Sequence, residues 1–138
     1  MSMDDVLINK LSAILRCLKR IKEVYAEAGG NFSSDYTRQD SVILNIQRAC
    51  EASIDIANHI IKKNQLGIPQ SSRDSFQLLH KSGLLTESTT SNLKKMIGLR
   101  NIAVHDYQEL NIDIVVAVVK NHLVDFELFI DEVKNKRN

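Results

Sequence analysis

The chain has no tryptophan, one proline and two cysteines, and aromatic residues make up only 5% of its 138 residues. So few aromatic rings leave few platforms on which unpaired bases could stack, which argues against a free-standing reader of single-stranded nucleic acid. Both cysteines, Cys17 and Cys50, fall inside helical patterns and are predicted to be small buried hydrophobic residues. A chain without a disulfide framework fits a reduced, cytoplasmic location.

The charge balance and hydropathy exclude two further classes of protein. A formal net charge of +1 is too small for a coat of positive charge that binds nucleic acid without regard to sequence. No apolar run approaches the roughly 18 residues needed to span a bilayer, and the opening Met-Ser-Met-Asp-Asp does not resemble a signal peptide. With 43% hydrophobic and 25% charged residues, the sequence is typical of a globular protein. We expect one domain over residues 1–138, without membrane association.

Motifs for several common kinds of catalysis are also missing. The sequence has no glycine-rich phosphate loop, no nucleophile elbow and no cysteine or histidine pairs at metal-binding spacing. The histidines are scattered, so neither a metal site nor a cofactor is expected. They are His59, His80, His105 and His122. Glu51 and Asp55 lie one helical turn apart, which is typical of a solvated helix face.

Apolar residues recur at helical spacing along almost the whole chain, which predicts an all-α bundle of about four main helices and a short one. The predicted helices span about 4–27, 37–64, 73–81, 86–105 and a last stretch that begins after Asn111. Gly29 and Gly30 end the first helix, and Gly67 to Pro69 end the second. The β-branched run 112–119 could locally form a strand, but the helical spacing that continues beyond it favours a helix.

Arg100 interrupts one of these apolar lines. The line runs along one helix face and comprises Leu93, Met96, Ile97, Arg100, Ala103 and Val104. A guanidinium on the face that should meet the core is costly unless it is paired, lies at an interface or faces an anion. Such a conflict between pattern and charge is typical of a functional site.

The segment after Arg100 contains His105 and Tyr107, so the chain carries Arg-x4-His-x-Tyr near the end of a helix. A loose arginine-to-histidine spacing has little value alone, since seven arginines and four histidines produce such matches by chance. Arg73 with His80 is a second match. The Arg100 copy is distinguished by the polar residue beside it, the tyrosine two residues after the histidine, and its place just before the final helix.

On these residues the chain resembles the HEPN superfamily (higher eukaryote and prokaryote nucleotide-binding), and within it the small HepT-like ribonuclease toxins. The similarity extends over nearly the whole chain and includes the segments 39–48 and 66–74. The resemblance implies an all-helical, homodimeric endoribonuclease that cleaves mRNA or tRNA without a metal. It also implies the toxin of a type VII toxin–antitoxin system, whose partner is a minimal, MntA-like nucleotidyltransferase antitoxin, in a homodimer or a higher hetero-oligomer.

The residue types in the motif suit RNA cleavage by attack of the 2′-hydroxyl on the adjacent phosphorus. Such a reaction needs a base, an acid and a positive group on the phosphoryl oxygens. His105 has the side chain that exchanges protons near neutral pH, and Arg100 has the one that forks onto phosphate. One imidazole per chain is too few for two proton transfers, which favours a two-fold dimer. On an ideal helix the two residues lie about 140° apart, so they flank a groove or the helix loosens before His105.

The neighbours of the catalytic pair are expected to have other roles, modification for Tyr107 and support for Asn101 and Asp106. Tyr107 is a poor acid or base near neutral pH but a good hydrogen-bond partner and a modifiable nucleophile. By resemblance, the antitoxin attaches adenylate to Tyr107 and so silences the toxin. Asn101 is expected to orient the phosphate or the histidine, and Asp106 to hold the imidazole or cap the turn. The structural alternatives are that Tyr107 packs on the final helix and that His105 caps its own helix.

Two classes of function stay open from the sequence. The first is the metal-independent endoribonuclease built on Arg100 and His105. The second is a non-catalytic helical module, in which the same motif binds a nucleotide or a protein.

Overall fold

The structure, a computed structural model, describes residues 4–136 and folds them into six α-helices and two short 3₁₀ helices. In chain order the α-helices are α1 (Asp5–Ala28), α2 (Tyr36–Asn64), α3 (Ser72–Lys81), α4 (Glu87–His105), α5 (Ile112–Asn121) and α6 (Leu123–Lys136). The 3₁₀ helices span Gly29–Ser34 and Tyr107–Glu109. Residues 4–136 contain no β-strand, so the all-α prediction is confirmed. None of the helices described in this range has both the length and the apolar character that crossing a membrane requires.

The first five α-helices each begin at a polar side chain that accepts a hydrogen bond from a backbone N–H in the first turn. These capping residues are Asp4, Asp35, Ser71, Thr86 and Asn111. They satisfy N–H groups that have no partner inside the helix. The helix starts predicted at Thr86 and Asn111 are confirmed. α3 begins at Ser72, one residue before the predicted start, with Ser71 as its cap.

α1 and α2 are the longest helices and pack against each other, joined by the 3₁₀ helix Gly29–Ser34. Gly29 has a φ of 57°, a left-handed conformation that glycine adopts readily, and α1 ends there. The buried Gln39 of α2 donates to the carbonyls of Phe32 and Ser33 at 2.8 and 2.9 Å, which ties the connection to the next helix. Because α3 and α4 also pack against α2, this helix is the centre of the fold.

The last predicted helix is divided in two. α5 ends at Asn121, α6 begins at Leu123, and His122 lies between them with φ −124° and ψ 0°. The His122 carbonyl accepts from the N–H of Asp125, and the His122 ring contacts the Asp125 carboxylate, both at 3.1 Å. α6 then packs on α4. The break leaves His122, which the spacing places on the apolar line, exposed.

Val104, predicted on the apolar line of α4, faces solvent and is 41% exposed. Helical spacing also places Leu15 on the apolar side of α1, yet Leu15 is 51% exposed, whereas Val24 of the same helix is buried. The face that a helix buries is only a stripe, so residues at the margin of a predicted line fall outside it. Cys50 is buried as predicted, and burial raises the pKa of its thiol to about 12. Cys17 is only half-buried, and both thiols are free.

Phe129→Ala should lower the free energy of unfolding by roughly 3–5 kcal/mol. The Phe129 ring is fully buried and meets Phe76 edge-on, with ring centroids 5.7 Å apart. Leu15→Ala is the control and should change stability by no more than about 0.5 kcal/mol, because the side chain is half in solvent. Urea unfolding followed by circular dichroism measures both values. Similar losses in the two variants would show that Leu15 is buried in solution.

Candidate functional site

Arg100 lies on α4 where that helix packs on α2, and its guanidinium pairs with Glu51. Nε and Nη2 of the arginine both donate to Oε2 of Glu51, at 3.0 and 2.8 Å, and Nη1 donates to Oδ1 of Asn101 at 3.2 Å. A guanidinium has five N–H groups, so two stay available to an incoming anion. Glu51, predicted to belong to a solvated face, is instead the partner that makes a charge on the apolar line tolerable. Asp55, one turn along, pairs with Lys10 of α1 at 2.9 Å.

Arg100 lines two spaces of different character. One is an open cleft of about 350 Å³, which Ile54 and Ser72 also line. The other is a narrow apolar gap bordered by Ile43 and Ile46. A long charged side chain can cover apolar surface with its methylene groups while its charge reaches water. This arrangement explains how an arginine occupies a position that the helical pattern assigns to the core.

His105 is the last residue of α4. Asp106 leaves the helical conformation, with φ −152° and ψ 48°, and its N–H donates to the carbonyl of Ile102 at 2.9 Å. Three histidines have partners: the ring of His59 contacts Asp4, that of His80 the carbonyl of Leu85, and that of His122 Asp125. The His105 side chain is exposed and is the one imidazole in residues 4–136 without a hydrogen bond or ion pair. In the same range no group of three histidine, cysteine or acidic side chains could hold a metal ion.

Within one chain, Arg100 and His105 point to different surroundings. Arg100 turns toward α2 while His105 faces solvent, in keeping with the roughly 140° between them on an ideal helix. α4 stays helical through His105, so of the two alternatives left open by the sequence, loosening of the helix before His105 does not occur. Asn101 contacts the arginine and not the histidine. Asp106 ends the helix through its backbone, and its carboxylate has no hydrogen bond to His105 among the described contacts.

Tyr107 begins the 3₁₀ helix that follows α4, and its hydroxyl donates a hydrogen bond to the carboxylate of Asp40 on α2. The tyrosine is 44% exposed. Partial burial, together with the hydrogen bond to the negative Asp40, raises the pKa of the phenol to about 12. The hydroxyl is thus held on α2. The structural alternative, in which Tyr107 packs on the final helix, does not account for this contact.

Asp40 and Glu51 lie on the same face of α2. They are 11 residues apart, which places them about 20° apart around the helix and about 16 Å apart along it. Gln47 lies between them and donates to Glu51 at 3.4 Å. We call these three residues the polar face of α2. Sequence reasoning singled out neither carboxylate for function, although their spacing, which places them on one face of the helix with Gln47, was a usable signal.

A family model described as ribonuclease HepT-like matches residues 14–133. The mRNA nuclease HepT of Shewanella oneidensis is 65% identical over 132 residues, which cover 96% of this chain and 98% of that protein. The tRNA nuclease HepT of Aphanizomenon flos-aquae is 24% identical over 130 residues, which cover 94% of this chain and 88% of that protein.

The fold matches a solved structure of a family relative. The tri-AMPylated Shewanella oneidensis HEPN toxin, in complex with MNT antitoxin, aligns with a TM-score of 0.92 at 64% identity. The match covers 96% of this chain and 99% of the toxin chain. Both the resemblance inferred from the motif and the HEPN-like helical fold are confirmed. This chain belongs to the HepT-like ribonuclease family of HEPN proteins.

Proposed function

We propose that this chain is the toxin of a type VII toxin–antitoxin system and cleaves RNA as a metal-independent endoribonuclease. The observation that carries the proposal is an arginine held in an ion pair, Arg100 with Glu51, followed at the end of the same helix by His105, whose imidazole has no partner within residues 4–136. Relatives named as nucleases of mRNA and of tRNA support an RNA substrate of either kind. A relative solved with an MNT antitoxin supports a nucleotidyltransferase as the partner. Residues 1–138 are the proposed single domain.

Arg100 binds the phosphoryl oxygens of the scissile link. Glu51 and Asn101 engage three of its N–H groups and hold the plane of the guanidinium, which leaves two donors for the phosphate. Negative charge that develops on the phosphoryl oxygens then meets donors that need not reorient. The Glu51 carboxylate also lowers the cost of keeping the guanidinium beside apolar neighbours before RNA binds.

His105 transfers protons. The ribose 2′-oxygen attacks phosphorus, a 2′,3′-cyclic phosphate forms, and the 5′-oxygen leaves with a proton. A neutral imidazole can take the proton of the 2′-hydroxyl, and an imidazolium can supply the proton that the leaving oxygen needs. A single His105 cannot be in both states at once, so concerted cleavage requires a second imidazole in the same cleft.

A two-fold homodimer supplies that second imidazole. An apolar groove of about 220 Å³ lies between α4 and α5, close to the motif, and Met96 and Leu99 line it together with Ile114. Ile114 is 52% exposed, and Ile102, one turn beyond Leu99, is 40% exposed. Exposed aliphatic side chains beside a groove are typical of a protein–protein contact. We assign this α4–α5 groove to the homodimer contact.

Tyr107 is the residue to which the antitoxin attaches adenylate from ATP, and the tri-AMPylated relative supports this form of control. The Tyr107 hydroxyl is held at Asp40, about 16 Å along α2 from the Glu51 that holds Arg100. A single adenylate therefore adds negative charge and bulk on the path of the RNA strand and not on the guanidinium itself. A chain of several adenylates could extend as far as Arg100.

His105→Ala should lower the rate of RNA cleavage by roughly 100-fold to 10,000-fold, the usual contribution of a general acid–base group. Arg100→Ala should lower it by roughly 100-fold or more, because the developing charge loses its donor. The measurement is cleavage of labelled RNA by purified protein in the presence of EDTA. The products should end in a 2′,3′-cyclic phosphate or its hydrolysis product.

Arg48→Ala and His80→Ala are the matched controls for this experiment. Arg48 is exposed on α2, with its charge near Cys17 of α1, and the His80 ring holds the carbonyl of Leu85. Both variants should cleave RNA at the wild-type rate per folded molecule. Loss of cleavage in His80→Ala but not in His105→Ala would show that Arg100 and His105 are not the catalytic pair. Full activity in His105→Ala would favour the non-catalytic binding module.

Ile114→Glu should convert the proposed dimer to a monomer and reduce cleavage in parallel, because a carboxylate in the α4–α5 groove is desolvated by the second chain. Ile68→Glu is the control, since Ile68 lies in the connection between α2 and α3, outside the α4–α5 groove, and is 82% exposed. Light scattering after size-exclusion chromatography measures the mass. A monomeric wild-type protein that cleaves RNA at full rate would contradict the composite site.

Tyr107→Phe should stay folded and escape adenylylation and silencing, because it lacks the accepting oxygen. Tyr36→Phe is the control, since Tyr36 is 74% exposed and should not be needed for modification. Intact-mass spectrometry after co-expression with the cognate antitoxin measures the added adenylate, and peptide mapping places it. If Tyr107→Phe is still modified and silenced, Tyr107 is not the acceptor. Control would then depend on Tyr25 or Tyr36, or on steric capping by the antitoxin.

A further inference from the structure

The hydroxyl of Tyr107 is already in contact with a carboxylate that no part of the RNA-cleaving mechanism uses. It donates its hydrogen bond to Oδ1 of Asp40, which is exposed on the second turn of α2. Asp40 has no other hydrogen bond or ion pair among the contacts of residues 4–136. Its second oxygen is therefore open to water, and the carboxylate can pass a proton on to solvent.

The other two tyrosines lack this arrangement. Tyr36 is 74% exposed, and its hydroxyl has no hydrogen-bond partner among the described residues. Tyr25 packs against Phe32, with ring centroids 4.9 Å apart, and likewise has no recorded partner for its hydroxyl in that range. Tyr107 alone combines a half-exposed ring with a hydroxyl held by a carboxylate within the described part of the chain.

A neutral phenol is a weak nucleophile, and transfer of a nucleotide to it requires removal of the proton as the new bond forms. Partial burial and Asp40 raise the pKa of Tyr107 to about 12, so almost none of the phenol is ionised near neutral pH. A base must therefore act on the proton during the transfer itself.

We propose that Asp40 is the general base for adenylylation of Tyr107, so that the toxin supplies a catalytic group for its own silencing. The inference rests on the proposed function, in which Tyr107 accepts adenylate from ATP on the antitoxin. The Tyr107 oxygen attacks the α-phosphorus of ATP, the oxygen–phosphorus bond forms, and the bond to the β-phosphate breaks with release of pyrophosphate. The phenolic proton passes to the Asp40 carboxylate and from there to water.

The same carboxylate also acts on the product. Once the phosphodiester is formed, a negative group stands beside Asp40, and like charges at this distance repel each other. The modified side chain is therefore driven off α2.

Asp40→Asn tests the proposal, because asparagine can still accept the phenolic hydrogen bond but cannot take the proton. With the cognate nucleotidyltransferase and ATP, the kcat for transfer to Asp40→Asn should fall by roughly 100-fold or more, with KM for ATP and for the toxin within about 3-fold of wild type. Asp40→Glu should restore most of the rate. Replacing Tyr107 with difluorotyrosine, a more acidic phenol, should restore part of the rate in the Asp40→Asn background. Asp113→Asn, an exposed carboxylate on α5, is the control and should be modified at the wild-type rate.

The outcomes separate this inference from the proposed function beneath it. If the wild-type protein takes no adenylate on Tyr107, the proposed regulation fails. If the wild-type protein is modified on Tyr107 and Asp40→Asn is modified equally fast, the regulation stands and the base belongs to the antitoxin. A higher KM with unchanged kcat in Asp40→Asn would overturn the base assignment and leave Asp40 only a docking contact.

Discussion

The ion pair between Arg100 and Glu51 sets the relation between α4 and α2 on which the candidate site depends. Both side chains are partly exposed, at 28% and 37%, so the pair contributes at most about 1 kcal/mol to stability. Its larger effect is geometric. Two N–H groups on one carboxylate oxygen, with Asn101 on the third nitrogen, leave the guanidinium little freedom to rotate. A phosphate that arrives at this arginine meets a donor whose orientation is already set.

The polar face of α2 connects the two halves of the proposed function. Glu51 holds the arginine that would bind RNA, and Asp40 holds the tyrosine that would accept adenylate. On an ideal helix the two residues are about 16 Å apart along the axis, and a helix holds such a spacing more firmly than a loop does. α2 also packs on α1, α3 and α4, so the spacing is anchored in the core of the bundle. In the proposed function, activity and regulation would therefore share α2 as a common support.

The end of α4 does the complementary work of exposing a side chain. Because Asp106 leaves the helical conformation, the chain turns into the short 3₁₀ helix and His105 stays in solvent. An imidazole with internal partners, as at His59 or His122, would be less available to a substrate. The one histidine in residues 4–136 without a hydrogen bond or ion pair is thus the one that follows Arg100 on the same helix. In the proposed mechanism one such imidazole per chain is too few for paired acid and base chemistry, so a second chain would have to supply the other.

The sequence by itself determined the all-α class, most helix boundaries and the motif residues, because helical periodicity and capping residues act within a few positions along the chain. It did not reveal the break between α5 and α6 at His122, because apolar residues continue at helical spacing on both sides of that residue. It also placed Glu51 on a solvated face and gave Asp40 no role. Only the tertiary structure decided that these carboxylates meet Arg100 and Tyr107, from which they are 49 and 67 residues distant along the chain. The periodicity of a helix shows that one of its faces is polar, but which helix meets that face depends on the packing of the whole bundle.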